Sequence, residues 1–289
     1  MDTIGMIGLG LMGTALARRF LRRGLGVLGY DLSPERRDEL ARAGGHAAES
    51  AIDVVRQCET IILSLPDSGV VASVIESIET DLRAGQLVID TTSGESLQTA
   101  ATGARLARHG VRFLDATIAG SSAQVADGQV IVMVGGDEAA FRSTQDLLGS
   151  FAREVFHVGP WGSGSRMKLV VNLVLGLNRA ALAEALLLAH ALELDPQSAL
   201  AILKASPAYS TVMDTKGSKM IAEDFTPHAR LSQHLKDVRL ILEAAARTGA
   251  DVPLSTTHRQ LLERAVAAGF GELDNSAIIR AFGVANNST

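Results

Sequence analysis

Short apolar segments alternate with longer amphipathic segments along the first half of the chain. The apolar segments have the length of buried strands, and the segments between them have helical spacing. One predicted helix, 35–43, follows Ser33-Pro34, a capping residue and a first-turn proline. Strands that alternate with helices predict an α/β fold with a doubly wound, mostly parallel sheet. The predicted strands are 3–7, 26–30, 60–64, 87–91, 112–116 and 130–134, with a last short strand near 154–158.

The pattern changes after the glycine-rich segment 159–164, because no convincing strand follows it. We therefore expect an α/β domain over residues 1–160 and an all-α helical-bundle domain over residues 161–289. The long first helix of the second domain is hydrophobic on most faces, which suits burial at the centre of a bundle or of a dimer. The predicted helices are 165–194, 196–205, 208–217, 230–249 and 254–268, with a short C-terminal helix near 274–283.

The first predicted strand runs directly into a glycine-rich turn that reads Gly8-Leu9-Gly10-Leu11-Met12-Gly13, and a helix follows. The first glycine permits a tight turn, the second lets a pyrophosphate approach the backbone, and the third lets the helix pack closely on the sheet. Asp31 lies 18 residues after Gly13, near the spacing at which an acid binds a ribose 2′-hydroxyl. The segment predicts a Rossmann-like domain that binds NAD, because a carboxylate repels the 2′-phosphate of NADP. Arg36 and Arg37 soften that preference and leave NADP as a second cofactor.

Composition and charge argue against a disordered, nucleic-acid-binding, secreted or membrane protein. Of the 289 residues, 47% are hydrophobic and 20% are charged, which is enough apolar surface for a large core. The net charge of -5 provides no basic surface for nucleic acid. A single cysteine, Cys58, and an N-terminus without a basic segment indicate a cytoplasmic protein. Polar residues within 167–192 argue against a membrane span, and scattered histidines indicate no metal site.

Four further segments carry recognisable motifs beside the glycine-rich turn. They are Leu63-Ser64-Leu65-Pro66-Asp67, Asp90-Thr91-Thr92-Ser93, Asp115-Ala116-Thr117-Ile118-Ala119-Gly120-Ser121 and Gly162-x-Gly164-x-x-x-Lys168-x-x-x-Asn172. Together the five segments resemble the β-hydroxyacid dehydrogenase family, which includes 3-hydroxyisobutyrate and tartronate semialdehyde dehydrogenases, and the resemblance covers nearly the whole chain. The glycine-rich turn has the family's Met-Gly ending, residues 162–172 match its catalytic signature, and a Lys236-Asp237 pair stands where such enzymes carry Lys-Asp.

Lys168 and Asn172 of the catalytic signature are four residues apart and share one face of the predicted helix. Oxidation of an alcohol needs a group that takes the proton from oxygen. A lysine does this near neutral pH only if its pKa falls from about 10.4 toward about 7–8, and burial and the positive end of a helix act in that direction. Asn172 is suited to orienting the lysine or the substrate oxygen. The alternative is a lysine that extends to solvent and an asparagine that packs between helices.

The segment that the resemblance assigns to the substrate departs from the family pattern. Ala119 stands where the family has a carboxylate-binding serine, Ser121 replaces the second glycine, and Thr117 replaces the proline. Gly120 is retained. The resemblance implies an anionic small-molecule substrate held by backbone N–H groups and by the hydroxyl of Ser121 or Ser122. The alternative is a loop that binds a different ligand.

The resemblance alone implies further site residues. It places Leu65 and Pro66 near the adenine or its ribose, and Ser93 near the nicotinamide. Lys236 would reach the nicotinamide end of the cofactor, while Asp237 would steady it and contact the substrate. The alternatives are a strand-terminating turn for Pro66, a helix cap for Ser93 and a solvated ion pair for Lys236.

These observations predict an oxidoreductase that transfers a hydride between NAD(H) and a small 3-hydroxy acid or its semialdehyde, with Lys168 as general acid and base. The resemblance also implies a homodimer or homotetramer formed through the helical domain. Two alternatives remain. An imine reductase-like, NADP-dependent enzyme usually lacks the lysine, and a non-catalytic nucleotide-binding protein would have no need of it.

Overall fold

A computed structural model describes residues 3–282, and its N-terminal part is built on one eight-stranded sheet. The strands are β1 (Thr3–Ile7), β2 (Gly26–Tyr30), β3 (His46–Ala47), β4 (Thr60–Leu63), β5 (Leu87–Asp90), β6 (Arg112–Ala119), β7 (Val130–Gly136) and β8 (Ala152–Gly159). They lie in the order β3-β2-β1-β4-β5-β6-β7-β8. Neighbours are parallel except β6 and β7, which pair antiparallel. The predicted doubly wound, mostly parallel sheet is confirmed.

Eight helices connect these strands within the described residues. They are α1 (Leu11–Arg22), α2 (Pro34–Arg42), α3 (Ala51–Gln57), α4 (Ser68–Ile78), α5 (Ser96–Ala107), α6 (Ser122–Asp127), α7 (Glu138–Arg142) and α8 (Gln145–Gly149). Helix α1 buries Leu16 and Phe20 in the core. The hydroxyl of Ser33 accepts a hydrogen bond from the backbone N–H of Arg36, and Pro34 opens the helix, as the sequence predicts.

The helical part begins with α9 (Ser163–Ala191), and no β-strand follows α9 in the described residues. The other helices are α10 (Pro196–Ala205), α11 (Ser218–Ile221), α12 (Leu231–Thr248) and α13 (Pro253–Ala265), with π-helical turns at Met213–Gly217 and Val266–Phe270 and a 3-10 helix at Asn275–Ala281. Apolar side chains of α9, α12 and α13, among them Leu182, Leu231 and Leu262, form a separate buried core.

The structure differs from the sequence analysis in two places, a strand that was not predicted and a helix of a different type. Strand β3 has only two residues, both exposed, so it is too short to show an alternating pattern. The helix predicted over 208–217 is a π-helical turn that continues into α11. Ser206, Pro207 and Ser210 precede this turn, and such residues favour turns over the start of a regular helix.

The chain divides into two compact units within helix α9. One unit extends to Lys168 and the other begins at Leu169. The boundary predicted near residue 160 stays a prediction. Among residues 3–282, α9 is the helix long and apolar enough by composition to cross a membrane, a test that core helices of soluble proteins also pass. Buried Asn172 and Arg179 lie within it, and such polar groups are rare in lipid-facing helices.

Candidate active site

The glycine-rich turn after β1 is shaped by two close backbone contacts. Gly8 has a φ of +94°, and a Cβ atom there would lie 2.3 Å from the carbonyl oxygen of Ser64. A Cβ atom at Gly13 would lie 2.1 Å from the carbonyl oxygen of Gly8. A Cβ atom at Gly10, in contrast, would have no atom within 4 Å. Gly8 and Gly13 are therefore required by the turn and the packing, whereas Gly10 leaves open space for a ligand.

The N-terminus of α1 suits a phosphate group. Gly10 is its N-cap and provides no side-chain hydrogen bond, so the first N–H groups of the helix have no side-chain acceptor. A cavity of about 820 Å³ is lined by residues that include Gly10, Leu11 and Arg36. Unsatisfied N–H groups at the positive end of a helix bind a pyrophosphate. The residues at this turn fit a dinucleotide cofactor.

Asp31 joins this turn to the end of β2. Its Oδ2 accepts a hydrogen bond of 2.7 Å from the backbone N–H of Leu9, and its Oδ1 accepts one of 2.9 Å from Ser33. Arg36 Nη1 lies 3.3 Å from Asp31 Oδ2, and the carboxylate is 9% exposed. Asp31 therefore holds the glycine turn in place and carries its negative charge beside Leu9 of that turn.

The ends of β4 and β5 are linked by a hydroxyl. The backbone N–H of Leu65 donates to Thr92 Oγ1 at 3.1 Å, and the side chain of Asp67 caps α4. The N-cap of α5 is Glu95 and not Ser93, so the interpretation of Ser93 as a helix cap is wrong. The roles assigned to Leu65, Pro66 and Ser93 in cofactor binding stay predictions.

The catalytic signature spans the turn between β8 and α9. Gly162 has a φ of +83°, and a Cβ atom there would lie 2.4 Å from the carbonyl oxygen of Ser96. A Cβ atom at Gly164 would lie 2.6 Å from the carbonyl oxygen of Met133. Both glycines are required because the backbone enters α9 in contact with other backbone segments.

Lys168 lies in the second turn of α9. Its Nζ donates a hydrogen bond of 2.7 Å to the carbonyl oxygen of Ile118 in β6. Lys168 is the first lysine of the chain, whereas sixteen arginines lie among residues 1–203, before the second lysine, Lys204. An arginine stays protonated in proteins, whereas a lysine can release its proton. The chain therefore has its first lysine at the position predicted to carry out acid–base chemistry.

In the segment predicted to bind substrate, the hydroxyls of Thr117 and Ser121 form hydrogen bonds within the protein. Thr117 is buried, and its Oγ1 donates a hydrogen bond of 2.9 Å to the carbonyl oxygen of Gly164. Ser121 and Gln124 form a capping box at the start of α6. Gly120 has a φ of +148°, and a Cβ atom there would lie 2.6 Å from Val130 Cγ1. Thr117, which stands where the family has a proline, is thus held in place by a hydrogen bond to the backbone of α9.

The second unit holds the other predicted catalytic residue. Asn172 is buried on α9, and its Nδ2 donates a hydrogen bond of 3.0 Å to Asp237 Oδ2 on α12. A Cβ atom at Gly176, one turn further, would lie 2.6 Å from His234 Nε2 and 2.5 Å from His258 Cε1. The seam between these helices is therefore polar.

Two buried ionisable residues, Arg179 and His258, lie in this polar region between the helices. Arg179 is 7% exposed, and its Nε and Nη1 have no hydrogen-bond partner. Burial lowers the pKa of Arg179 to about 10, and burial with the nearby charge of Arg179 lowers the pKa of His258 to about 4. His258 is therefore neutral at neutral pH. Within residues 3–282, no group of three His, Cys, Asp or Glu residues is arranged to hold a metal ion.

Sequence reasoning missed a buried carboxyl pair, Asp90 at the end of β5 and Asp115 in the middle of β6. Asp90 and Asp115 are register partners in the sheet, and both are almost fully buried. Burial raises the pKa of Asp90 to about 7 and raises the pKa of Asp115 as well. Asp115 accepts hydrogen bonds from the backbone N–H groups of Gly162 and Ser165. The available signal was an acid within each of two predicted apolar strands, 87–91 and 112–116.

Two family models cover most of the chain. The NAD binding domain of 6-phosphogluconate dehydrogenase matches residues 3–159, and the NAD-binding domain of NADP-dependent 3-hydroxyisobutyrate dehydrogenase matches residues 162–282. The 2-(hydroxymethyl)glutarate dehydrogenase of Eubacterium barkeri is 32% identical over 96% of this chain and 93% of its own length. The 2-hydroxy-3-oxopropionate reductase of Escherichia coli is 30% identical over 96% of each chain.

Solved structures of related enzymes have the same fold as this chain. A Mycobacterium tuberculosis 3-hydroxyisobutyrate dehydrogenase with L-serine superposes with a TM-score of 0.90 at 28% identity, over 98% of this chain and 100% of the other. An imine reductase from Pseudomonas sp. reaches a TM-score of 0.68 at 23% identity, over 97% and 99%, and shares the fold. The chain belongs to the β-hydroxyacid dehydrogenase family and is an NAD(P)-dependent oxidoreductase.

Proposed function

We propose that this enzyme transfers a hydride between NAD(H) and a small 3-hydroxy acid or its semialdehyde, with Lys168 as the general acid and base. The observation that carries the proposal is the 2.7 Å hydrogen bond from Lys168 Nζ to Ile118 O, one residue before Ala119 of the predicted substrate segment. The relatives named for hydroxy acids and for an oxopropionate agree with this substrate class.

The proton step follows from the chemistry of Lys168. When bound, the nicotinamide accepts or gives the hydride. During reduction the lysine ammonium donates a proton to the carbonyl oxygen as that oxygen becomes negative. During oxidation the neutral amine takes the hydroxyl proton. A positioned acid or base accelerates such a step by about 10²–10⁴.

Asn172 is proposed to orient the reacting groups. Its Nδ2 donates to Asp237, and this bond fixes which end of the amide serves as the acceptor. The amide oxygen is then directed away from Asp237 and is suited to accept a hydrogen bond from the lysine or from the substrate hydroxyl. Asp237 thereby acts through Asn172 in addition to its predicted contact with the substrate.

NAD is the proposed cofactor, with NADP as the weaker one. The carboxylate of Asp31 favours ribose hydroxyls and repels a 2′-phosphate. Arg36 lies 3.3 Å from that carboxylate and offsets part of its charge. Arg37, predicted to act with Arg36, lies over the ring of Tyr30, with its guanidinium carbon 5.6 Å from the ring centroid.

The substrate is proposed to be an anion bound near Gly120. Gly120 is exposed, so its backbone is accessible to a carboxylate. Ser121 is committed to the capping box of α6, which leaves its hydroxyl less suited to the substrate than the sequence suggests. Ala119 provides no hydroxyl. These changes favour a substrate that differs from the acids bound by a serine at that position.

A spectrophotometric screen tests the proposal. Purified enzyme is assayed with NAD and NADP against small 3-hydroxy acids, and with NADH and NADPH against semialdehydes and cyclic imines. Turnover of at least one hydroxy acid or semialdehyde, faster with NAD(H), is expected. Turnover restricted to cyclic imines would contradict the proposal, and so would cofactor binding without turnover of any of the three classes.

A homodimer or homotetramer formed by the helical unit is part of the proposal, as is a cytoplasmic location. Val170 and Val174 are one turn apart on α9 and are 58% and 50% exposed, and Leu188 further along is 59% exposed. An exposed apolar stripe of this kind marks a protein interface. Cys58 is buried and unpaired, as expected in a reducing compartment. Light scattering that gives a monomer mass at micromolar concentration would contradict the assembly.

A further inference from the structure

Asp115 caps the catalytic helix from outside that helix. Gly162 is the N-cap of α9, because its carbonyl oxygen accepts the first helical hydrogen bond, from Arg166 N–H. Asp115 Oδ1 accepts a hydrogen bond of 2.9 Å from Gly162 N–H, and Oδ2 accepts one of 3.0 Å from Ser165 N–H. A capping box satisfies these same two N–H groups with residues of the helix itself. Here a single carboxylate of β6 satisfies both.

The surrounding glycines make room for this carboxylate. A Cβ atom at Gly135 would lie 2.3 Å from Asp115 Oδ1, and one at Gly164 would lie 2.8 Å from Oδ2. Gly162 has a positive φ and no side chain with which to cap its own helix. The glycines of the catalytic signature therefore fit an external cap, and Asp115 provides it.

The same strand holds the catalytic lysine. Thr117 Oγ1 donates to Gly164 O at 2.9 Å, and Lys168 Nζ donates to Ile118 O at 2.7 Å. Together with the two bonds to Asp115, four hydrogen bonds connect β6 to the entry and first two turns of α9. Lys168 follows Ser165 by three residues, which is about one helical turn.

We propose that Asp115 is a positioning residue for Lys168: it fixes the first turn of α9, and its negative charge favours the ammonium form of the lysine. The inference rests on the proposed acid–base role of Lys168. The positive end of a helix disfavours a nearby ammonium group, and a carboxylate at that end opposes the effect. Asp115 thus favours the protonated lysine, the form that donates a proton when a carbonyl is reduced.

The charge of Asp115 depends on its own neighbours. Burial raises its pKa, and the backbone N–H groups of Ser165, Gly162 and Gly164 lower it. Asp90 faces Asp115 from β5, and burial raises the pKa of Asp90 to about 7, so Asp90 carries only part of a negative charge at neutral pH. On the β7 side, Asp115 contacts the backbone of Gly135. The imidazole of His157 in β8 forms a hydrogen bond with the carbonyl oxygen of Gly136, the next residue of β7. Of the two carboxyls, Asp115 is the one whose oxygens both accept hydrogen bonds from N–H groups at the positive end of α9, an arrangement that favours its charged form.

Two matched substitutions test this role. Asp115→Asn replaces the carboxylate that caps α9 with a neutral group of the same size, whereas Asp90→Asn makes the same replacement at its register partner, which accepts from Thr92 N–H and not from α9. Steady-state kinetics in both directions between pH 6 and pH 10, cofactor affinity and circular dichroism are measured for each. For Asp115→Asn we expect reduction to slow about 10- to 100-fold, and the acidic limb of the oxidation profile to move about one pH unit lower. Both variants should bind the cofactor with nearly wild-type affinity. In Asp90→Asn, the acidic limb of the oxidation profile should stay at its wild-type pH.

The Lys168→Ala background separates the two claims. If Lys168 is the acid and Asp115 acts through it, Asp115→Asn causes no further loss of turnover in that background. Near-normal turnover of Lys168→Ala alone would refute the proposed function. A large loss in Lys168→Ala, with an unmoved pH limb in Asp115→Asn, would leave the proposed function standing and overturn the role of Asp115.

A direct titration keeps the inference testable if Asp115→Asn does not fold. Lysine amines are labelled by carbon-13 dimethylation and observed by NMR. The chain has five lysines, so the spectrum contains few signals, and the signal that is missing in Lys168→Ala belongs to Lys168. In the wild type without substrate, we expect this lysine to be mainly charged at pH 6.5, the form that donates a proton during reduction. A lysine that is mainly neutral at pH 6.5 would show that the carboxylate does not favour the ammonium form, and would overturn the inference.

Discussion

Asn172 Nδ2 donates a hydrogen bond of 3.0 Å to Asp237 Oδ2, which joins two helices of the second unit through a residue of the catalytic signature. The bond explains why an acid follows Lys236 at this position. It also makes the orientation of Asn172 dependent on Asp237, so the two side chains should contribute to catalysis as a unit.

A double-mutant cycle tests that dependence. Asn172→Ala and Asp237→Ala should each reduce kcat by about 10- to 100-fold, and the double variant should lose little more than either single variant. Lys204→Ala and Asp214→Ala, which remove an exposed ion pair of the same unit, serve as controls and should leave kcat unchanged. Losses that multiply in the Asn172–Asp237 double variant would refute the shared role.

Cofactor preference should depend on Asp31. Asp31→Asn retains an oxygen that accepts from Leu9 N–H and removes the charge that repels a 2′-phosphate, so we expect the NAD to NADP ratio of kcat/KM to fall about tenfold or more. Arg36→Ala in the same background should remove the gain with NADP. Wild-type enzyme that prefers NADP would contradict the assignment of Asp31.

The substrate segment predicts altered specificity. A hydroxyl that binds a carboxylate contributes roughly 1.5–3 kcal/mol, so Ala119→Ser should improve kcat/KM for small acids such as 3-hydroxyisobutyrate by about 10- to 150-fold. Ser121→Gly should harm the true substrate, but it also removes the cap of α6. Ser121→Asn preserves a cap and separates the two effects. Efficient wild-type use of 3-hydroxyisobutyrate, unchanged by Ala119→Ser, would refute the argument.

Asp90 should make stability depend on pH. Burial raises its pKa to about 7 in the folded protein, whereas an unfolded aspartate has a pKa of about 3.9. The folded state therefore binds the proton more tightly, and this stabilisation is full below about pH 4 and is lost as the pH rises through about 7. Asp90→Asn should flatten the fall of Tm between pH 5 and pH 8.

Thermal unfolding at a series of pH values measures this effect. Asp137→Asn is the control, because Asp137 is exposed and asparagine also caps α7. That control should keep the wild-type pH dependence. An Asp90→Asn profile that parallels the wild type would show that Asp90 ionises normally in the folded protein.

The sequence was sufficient for the elements that local patterns determine. Strands β1 and β2 were predicted at their observed bounds because apolar runs and glycines mark them. The two-residue strand β3 was missed, since its exposed side chains have no periodicity. The π-helical turn at Met213–Gly217 was also missed, because its hydrogen-bond pattern depends on tertiary packing.

The candidate site residues were predicted where a family motif and helical spacing agree. Lys168 and Asn172 were predicted because they match the family's catalytic signature and, four residues apart, share one face of a helix. Ser121 shows the limit, since a loop hydroxyl reads equally as a ligand and as a helix cap. Asp115 shows it too, because its hydrogen bonds join residues 47 and 50 positions apart along the chain.

The most direct test of the account is the turnover of Lys168→Ala with the substrate identified by the screen. Cofactor affinity and circular dichroism of the same preparation show whether the first unit remains folded. The account predicts that kcat falls about 10²- to 10⁴-fold while NAD binds with nearly unchanged affinity, because the lysine acts on the substrate oxygen. A folded Lys168→Ala variant with near-normal turnover would contradict it.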